Sequence, residues 1–249
     1  MITESFDSKT KPIPSLEDFY GEQKHIITKC LIIFSKEIHG YILSNFDCEI
    51  IGKIHACNGT TNIYKFVYDG EELGFYLTPI GSALASEYCI ECSWVVGATK
   101  FIMFGSAGSL DRDKTGGKAV IPTEAYRDEG MSYHYAPPKD YILIKNHGKV
   151  KSVFEELKIP CVSGRVWTTD AFLMETVGLT EKRKEEGCIA VEMELAGVQS
   201  VCDYYGLELY DFLITGDVLS AEEYRPEGLR EANHSLDKLF FALEIAKRI

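Results

Sequence analysis

Apolar residues form short continuous runs that alternate with helix-like spacing along most of the chain. Runs of four at 31–34 and 101–104 are typical of strands buried on both faces, and similar runs follow at 119–121, 161–168 and 209–215. Between them, apolar residues recur at intervals of three and four, which predicts helices over 35–45, 81–94, 146–158, 195–205 and 229–245. This alternation predicts the α/β class, with a mixed, mainly parallel central sheet flanked by helices.

One section of the chain departs from that alternation. The β-rich runs 49–56, 62–68 and 73–77 follow one another, and Asp69-Gly70 between the last two is typical of a two-residue hairpin. We therefore expect an antiparallel section within the sheet. The length of 249 residues suits one domain over 1–249, with 1–14 as a loose, proline-punctuated lead.

The segment 190–197 places two carboxylates, Glu192 and Glu194, on either side of Met193, where an apolar run becomes helical. In an extended chain both carboxylates would share one face and would suit a ligand with several hydroxyls. In the first turn of a helix they would instead complement the helix dipole. These residues alone leave both interpretations open.

Small or polar residues follow five of the predicted strands. In an open α/β sheet such strand ends meet in one crevice, so a ligand site is expected there. Glycine and serine after the second run would bring backbone N–H groups and hydroxyls close to an anion. The five positions are Ser35, 105–109, 169–172, 192–194 and 216–217.

The composition of the chain excludes some classes of binding partner. The net charge of −12 makes nucleic acid or an anionic membrane an unsuitable partner, since both are bound through clustered Lys and Arg. Residues 1–14 lack the apolar core of a signal peptide and no run reaches membrane-spanning length, so a cytoplasmic protein is expected. Eight scattered cysteines predict reduced thiols. Cys89 and Cys92 form a lone C-x-x-C, so we assign no metal and no cofactor.

Four of these motifs, in this order and spacing, resemble the nucleoside phosphorylase superfamily, which includes purine nucleoside phosphorylase, uridine phosphorylase and the methylthioadenosine nucleosidases. The resemblance extends from about residue 31 to residue 243. Its strongest parts are 105–108, 169–172, 191–194 with the following Ala196-Gly197, and 215–217.

The resemblance implies cleavage of an N-glycosidic bond by phosphate, which gives a free base and ribose 1-phosphate. It also implies a homo-oligomer, a dimer or a hexamer, and it suggests roles for individual residues. These are phosphate contacts for Ser35, His39, Gly105 and Ser106, base contacts for Phe172 and Thr215, ribose contacts for Glu192, Met193 and Glu194, and an acid, Asp217, with Arg230 as its partner.

The phosphate site departs from the family pattern. Met103 and His39 stand where phosphate-using members have arginines, so another cation would be needed; Arg127, Arg165 and Lys36 are candidates. These departures leave open a phosphate-independent nucleosidase and a catalytically silent nucleoside-binding protein.

The base site departs as well. Thr176 and Gly178 occupy the positions of the residues that read uracil in uridine phosphorylases, which favours a purine, with uridine phosphorylase-like activity as the alternative. Asp217 raises a chemical question, because a carboxyl of ordinary pKa, about 3.9, is ionised at neutral pH. A neighbouring carboxylate would raise that pKa, whereas Arg230 would lower it.

Overall fold

The computed structural model describes residues 1–220 and 224–249. Its strands are β1 Lys29–Ile33, β2 Glu49–Ala56, β3 Gly59–Tyr68, β4 Glu71–Leu77, β5 Lys100–Ser109, β6 Ala119–Asp128, β7 Tyr141–Leu143, β8 Cys161–Thr169, β9 Cys188–Glu192, β10 Glu208–Leu219 and β11 Tyr224–Arg225. Its α-helices are α1 Leu16–Tyr20, α2 Lys36–Asn45, α3 Ser82–Val96, α4 Arg112–Thr115, α5 Ser132–Tyr135, α6 His147–Glu156, α7 Val177–Glu185, α8 Leu195–Tyr205, α9 Leu229–His234 and α10 Leu236–Ala246.

The strands form one mixed sheet with helices on both faces, as the apolar pattern predicts. Parallel pairs make its centre, where β1 lies between β4 and β5 and β5 also pairs with β10. The face covered by α3 and α8 buries one apolar layer, and the face covered by α2, α6 and α10 buries the other. The α/β class is therefore confirmed.

Five strands of this sheet close into a ring. Pairings join β5 to β10, β10 to β6, β6 to β8, β8 to β9, and β9 back to the end of β5 at Gly108 and Ser109. Strand β5 has two partners in the ring: it pairs with β10 between Lys100 and Ser109, and with β9 at Gly108 and Ser109. Each strand of the ring therefore has a partner on both sides over part of its length.

The antiparallel section is also present. Strands β2, β3 and β4 pair in sequence, and the β3–β4 connection is the predicted hairpin. Asp69 and Gly70 have φ values of 48° and 84°, as a tight turn that matches strand twist requires. No helix among the described residues has both the length and the apolar character needed to cross a membrane.

Several element boundaries differ from the prediction. Strand β5 continues through the glycine- and serine-rich stretch, and β6 continues past Pro122 with a register shift between Pro122 and Glu124. The predicted closing helix is two helices, α9 and α10, separated at Ser235. The two strand extensions share a cause, because pairing with distant strands extends segments that have the composition of turns.

The helices α3 and α8 cross in close contact at Gly197. A Cβ atom placed on Gly197 would lie 2.1 Å from the hydroxyl oxygen of Ser82 and 2.9 Å from that of Ser86. Gly197 therefore sets the distance between the first turn of α3 and α8.

We expect Gly197→Ala to lower the free energy of unfolding by about 1–3 kcal/mol, because the added methyl group overpacks this contact. Urea denaturation followed by circular dichroism measures the change. The matched control is Gly148→Ala on α6, where an added Cβ meets no atom within 4 Å and stability should hold or rise. Equal effects of both substitutions would contradict the packing argument.

Candidate functional site

A cavity of about 730 Å³ opens where β1, β5, β9 and β10 end. Strand β1 stops at Ile33, opposite Phe104, so the edge of β5 beyond Phe104 has no β1 partner. The chain after β1 turns away into α2 and leaves a crevice along the freed edge. Eight of the residues singled out from the sequence line this cavity: Ser35, Gly105, Ser106, Phe172, Glu192, Met193, Glu194 and Asp217.

Residues 105–109 reach this cavity as part of a strand rather than as a loop. Gly105, Ser106 and Ala107 pair with β10, and Gly108 and Ser109 pair with β9. Backbone groups of this stretch that were expected to face an anion are therefore used in hydrogen bonds to β10 and β9. The Ser106 side chain remains at the cavity, where its hydroxyl donates a hydrogen bond to the amide oxygen of Asn233.

Glu192 is buried and holds the N-terminus of α8. Its Oε2 accepts hydrogen bonds from the backbone N–H groups of Glu194 and Leu195, both at 2.7 Å, and its Oε1 accepts from the Thr168 hydroxyl. Burial raises the pKa of Glu192, although these hydrogen bonds act in the opposite direction. Both carboxylate oxygens are thus already bound within the protein, and Glu192 contacts the helix start from the end of β9 rather than from the first turn of α8.

Glu194 faces the cavity from the cap position of α8. Its Oε1 accepts a hydrogen bond from the Gly81 backbone N–H at 2.7 Å, just before α3 begins. Burial, followed by the charge of Glu192, raises the pKa of Glu194. Glu192 therefore holds the start of α8, whereas Glu194 lines the cavity beside Met193 and is held by the start of α3.

A second acidic group lies around Asp217, where β10 shifts register after Thr215. Asp217 lines the cavity with Phe172, Glu175 and Tyr224. The Tyr224 hydroxyl is hydrogen bonded to the Asp217 carboxylate. Burial and then the charge of Asp217 raise the pKa of Glu175 to about 7, so Glu175 is half protonated at neutral pH.

The remaining polar groups gather around Ser35 and Ser106. The Ser35 hydroxyl lies 2.8 Å from His234 Nδ1 and also caps α2 by accepting from Ile38 N–H. The ammonium group of Lys238 donates to the Asn233 backbone carbonyl at 3.2 Å. Asn233, His234 and Lys238 all line the cavity, so the last two helices supply this part of its wall.

Three of the expected site residues lie away from the cavity wall. His39 lies one helical turn beyond Ser35, and its ring packs against Tyr64 and Phe75 with centroid distances of 5.6 and 5.3 Å. Burial lowers the pKa of His39, and a neutral ring is a poor anion ligand.

Arg230 is exposed on α9, and no ion pair joins it to Asp217 in the part of the chain described. Thr215 pairs with Ala107 in the sheet.

The cations proposed as substitutes for the missing arginines are also placed elsewhere. Arg127 is buried and donates to Ser132 and to the carbonyl oxygens of residues 136, 137 and 139. Arg165 donates to Glu124 at 2.7 Å. Lys36 is exposed at the start of α2. No arginine lines the cavity among residues 1–220 and 224–249, where the basic side chains on its wall are His234 and Lys238.

Sequence reasoning missed Glu175, Asn233, His234 and Lys238. Lys238 carried a usable signal, because it lies four residues before Ala242 and seven before Ile245, on the buried face of α10. Glu175 is three residues from Phe172, but nothing in its local pattern distinguishes it from a surface acid.

Comparison with known proteins agrees with this geometry. The chain is 27% identical over 242 residues to the DeoD-type purine nucleoside phosphorylase of Alkaliphilus metalliredigens, covering 91% of this chain and 98% of the relative. It is 28% identical over 220 residues to the DeoD-type enzyme of Caldanaerobacter subterraneus subsp. tengcongensis, covering 83% and 89%.

Two solved structures share the fold. The 5'-methylthioadenosine/S-adenosyl homocysteine nucleosidase of Campylobacter jejuni superposes with a TM-score of 0.71 at 21% identity, covering 90% of this chain and all of that one. A futalosine hydrolase mutant of Helicobacter pylori gives a TM-score of 0.70 at 18% identity, with the same coverage. The family model described as the phosphorylase superfamily matches residues 42–243, most of the chain, and the protein therefore belongs to the phosphorylase superfamily of nucleoside phosphorylases and nucleosidases.

Proposed function

We propose that this protein cleaves the N-glycosidic bond of a nucleoside, preferably a purine nucleoside, with phosphate as the acceptor, to give the free base and ribose 1-phosphate. The observation that carries the proposal is the composition of the cavity wall. One cavity presents Met193 and Glu194 for a sugar, and the Glu175–Asp217 carboxyl pair beside Phe172 for a base. The purine nucleoside phosphorylases among its relatives support the same reaction.

The sugar is proposed to lie against Met193 and Glu194. The Gly81 N–H holds one oxygen of Glu194, and the carboxyl lines the cavity beside Met193, where ribose hydroxyls would bind it. Hydrogen bonds from ribose hydroxyls to a partly buried carboxylate are charge-assisted, and each contributes about 1.5–3 kcal/mol. These hydrogen bonds, and the positive charge that grows on the ribose as its bond to the base breaks, favour the ionised form of Glu194, whose negative charge then stabilises the ribose cation.

The leaving base needs a proton or a hydrogen bond as negative charge grows on it. Glu175 is the group suited to supply the proton, because its pKa of about 7 matches the working pH, while Asp217 beside it keeps that pKa raised. A phosphate oxygen bonds to the anomeric carbon of the ribose as the bond from that carbon to the base nitrogen breaks, the base nitrogen takes the proton of Glu175, and solvent later returns a proton to Glu175. The role of acid, which the sequence suggested for Asp217 alone, is thus shared by the carboxyls of Glu175 and Asp217.

Hydrolysis is the second candidate, with water in place of phosphate. The specific observation in its favour is that no arginine lines the cavity in the described residues. Uridine phosphorylase-like activity and silent nucleoside binding are alternatives that the same substrate panel distinguishes.

We also infer a homo-oligomer, a dimer or a hexamer. The 3-10 helix Phe172–Met174 and the start of α7 expose apolar side chains next to the cavity: Phe172 is 58% exposed, Leu173 82%, Met174 62% and Val177 55%. Contiguous exposed apolar groups of this kind are typical of protein interfaces. A second copy of the chain covering them would also enclose the base.

The proposal is tested with a panel of inosine, adenosine, guanosine, uridine and methylthioadenosine, each with and without inorganic phosphate. We expect purine nucleosides to yield ribose 1-phosphate only when phosphate is present, as chromatography of the sugar products will show. Free ribose without phosphate would establish hydrolysis instead. Calorimetric nucleoside binding without any turnover would establish a silent protein, and cleavage that Asp217→Asn abolishes would exclude one.

Glu194→Ala should lower kcat/KM for the preferred nucleoside by at least about 100-fold, because at least two charge-assisted hydrogen bonds to the sugar are lost. Steady-state kinetics measure the change, and circular dichroism checks the fold. Glu185→Gln, on the exposed side of α7, is the matched control and should leave the kinetics unchanged. A Glu194→Ala enzyme with wild-type kinetics would remove Glu194 from the sugar site.

Glu175 predicts the pH dependence of turnover. A carboxyl with a pKa of about 7 is protonated below pH 7 and loses its proton above it, so kcat at saturating nucleoside and phosphate should fall about tenfold per pH unit above pH 7. Glu175→Gln should lower kcat by about 100-fold or more and remove this alkaline limb. If the limb persists in Glu175→Gln, another group carries the proton.

A further inference from the structure

Lys238 is a buried cation without a protein counter-ion. The residue is 2% exposed, and its ammonium group donates a hydrogen bond to the Asn233 carbonyl at 3.2 Å. Within residues 1–220 and 224–249, no carboxylate forms an ion pair with it. Burial alone lowers its pKa to about 8, without opposition from a neighbouring negative charge. The ammonium group is therefore still mainly protonated at pH 7.

An unpaired buried charge is unfavourable by several kcal/mol unless something compensates it. An ammonium group has three donors, and one carbonyl uses only one of them. Lys238 lines the cavity, so a group that compensates its charge would approach from the cavity. A ligand that brings negative charge into the cavity would satisfy the remaining donors.

The neighbours of Lys238 favour an oxyanion at this position. Asn233, whose carbonyl holds the ammonium, also accepts the Ser106 hydroxyl through its side chain. Ser35 and His234 add a second hydrogen-bonded pair at 2.8 Å on the same cavity wall. His234 and Glu37, 3.9 Å apart, and Asp237 beside Lys238 on the outer side of α10 are the other titratable groups here.

We propose that Lys238 binds inorganic phosphate in the cavity, together with Ser106, Asn233 and His234, and so provides the charge that no arginine provides on the described cavity wall. This inference rests on the proposed function for the identity of the anion. It places the acceptor between α9, α10 and the open edge of β5, so its cation comes from the C-terminal helices. A lysine is a point charge and lacks the fork of an arginine, so phosphate should be held by charge more than by fixed orientation.

The test is calorimetric titration of inorganic phosphate into the nucleoside-free protein at pH 7 and pH 9. We expect saturable binding that weakens about tenfold between these values, because the bound anion requires the protonated ammonium and its pKa is about 8. Lys238→Met should weaken phosphate binding at pH 7 by at least tenfold and abolish this pH dependence. Lys238→Arg, which keeps the charge, should retain binding within a few-fold.

Stability gives a second measurement that a merely structural lysine would not reproduce. Because the folded-state pKa is lowered, the wild type loses stability as pH falls from about 10.5 to about 8, and Lys238→Met should remove that contribution. Without phosphate, Lys238→Met should therefore be at least as stable as the wild type at pH 7. Added phosphate should raise the melting temperature of the wild type and leave that of the variant unchanged.

The matched control is Lys247→Met, at the end of the same helix, where the lysine pairs with Asp69 on the surface and lies off the cavity. Its phosphate affinity and pH dependence should equal those of the wild type. Should Lys238→Met fail to fold, Lys238→Gln keeps a donor for the Asn233 carbonyl and removes the charge.

Two results would overturn the inference. One is phosphate affinity within twofold of wild type in a folded, uncharged Lys238 variant. The other is a wild type that cleaves nucleosides but shows no phosphate binding up to about 50 mM, which would leave the proposed glycosidic cleavage intact. Conversely, Lys238-dependent phosphate binding with no nucleoside cleavage would refute the proposed function and leave this inference intact.

Discussion

The hydrogen bonds that Glu192 makes to the first turn of α8 are the constraint on which the site depends. A helix N-terminus leaves backbone N–H groups without intrahelical partners, and here a buried carboxylate accepts two of them. The chain can then turn from β9 into α8 within two residues, and this turn directs Met193 and Glu194 at the cavity. Thr168 on β8 holds the same carboxylate, so two neighbouring strands and a helix are fixed together.

The cavity wall carries both carboxyl groups and basic groups. Carboxyls line it at Glu175, Asp217 and Glu194, while Lys238 and His234 lie near Ser106 and Ser35. In glycosidic cleavage, positive charge develops on the sugar and negative charge on the base and the incoming phosphate. In the proposed reaction this lining would place a carboxyl beside the sugar, an exchangeable proton beside the base and a cation for the acceptor, and each group is held before substrate arrives.

Local sequence signals predicted those parts of the fold that local interactions determine. Asp69-Gly70 specified its hairpin, and the apolar run before Ser35 specified a buried strand followed by a helix. Residues 105–109 have the composition of a loop, because glycine and serine are not typical of strands. They form part of a strand because β9 and β10 pair with them.

In the site, too, some positions could be predicted from local sequence and others depend on residues distant in the chain. Residues predicted to follow strands, such as Ser106, Met193 and Asp217, could be grouped because parallel strand ends meet, and all three line the cavity. His39 was expected at the phosphate site because it stands where family members have an arginine. That correspondence carries no information about the packing of its ring against Tyr64 and Phe75. Lys238 and Glu175 owe their properties to burial and to neighbours distant in sequence, which no local motif encodes.

The closed ring of β5, β10, β6, β8 and β9 has a consequence for how the chain acquires its structure. Its strands run from residue 100 to residue 219, and the ring closes only when β10 lies between β5 and β6. Such closure joins segments more than a hundred residues apart, so it has high contact order and is intrinsically slow. During synthesis, the edges of β5 and β6 remain open until β10 has left the ribosome, and this interval exposes the nascent chain to edge-to-edge aggregation.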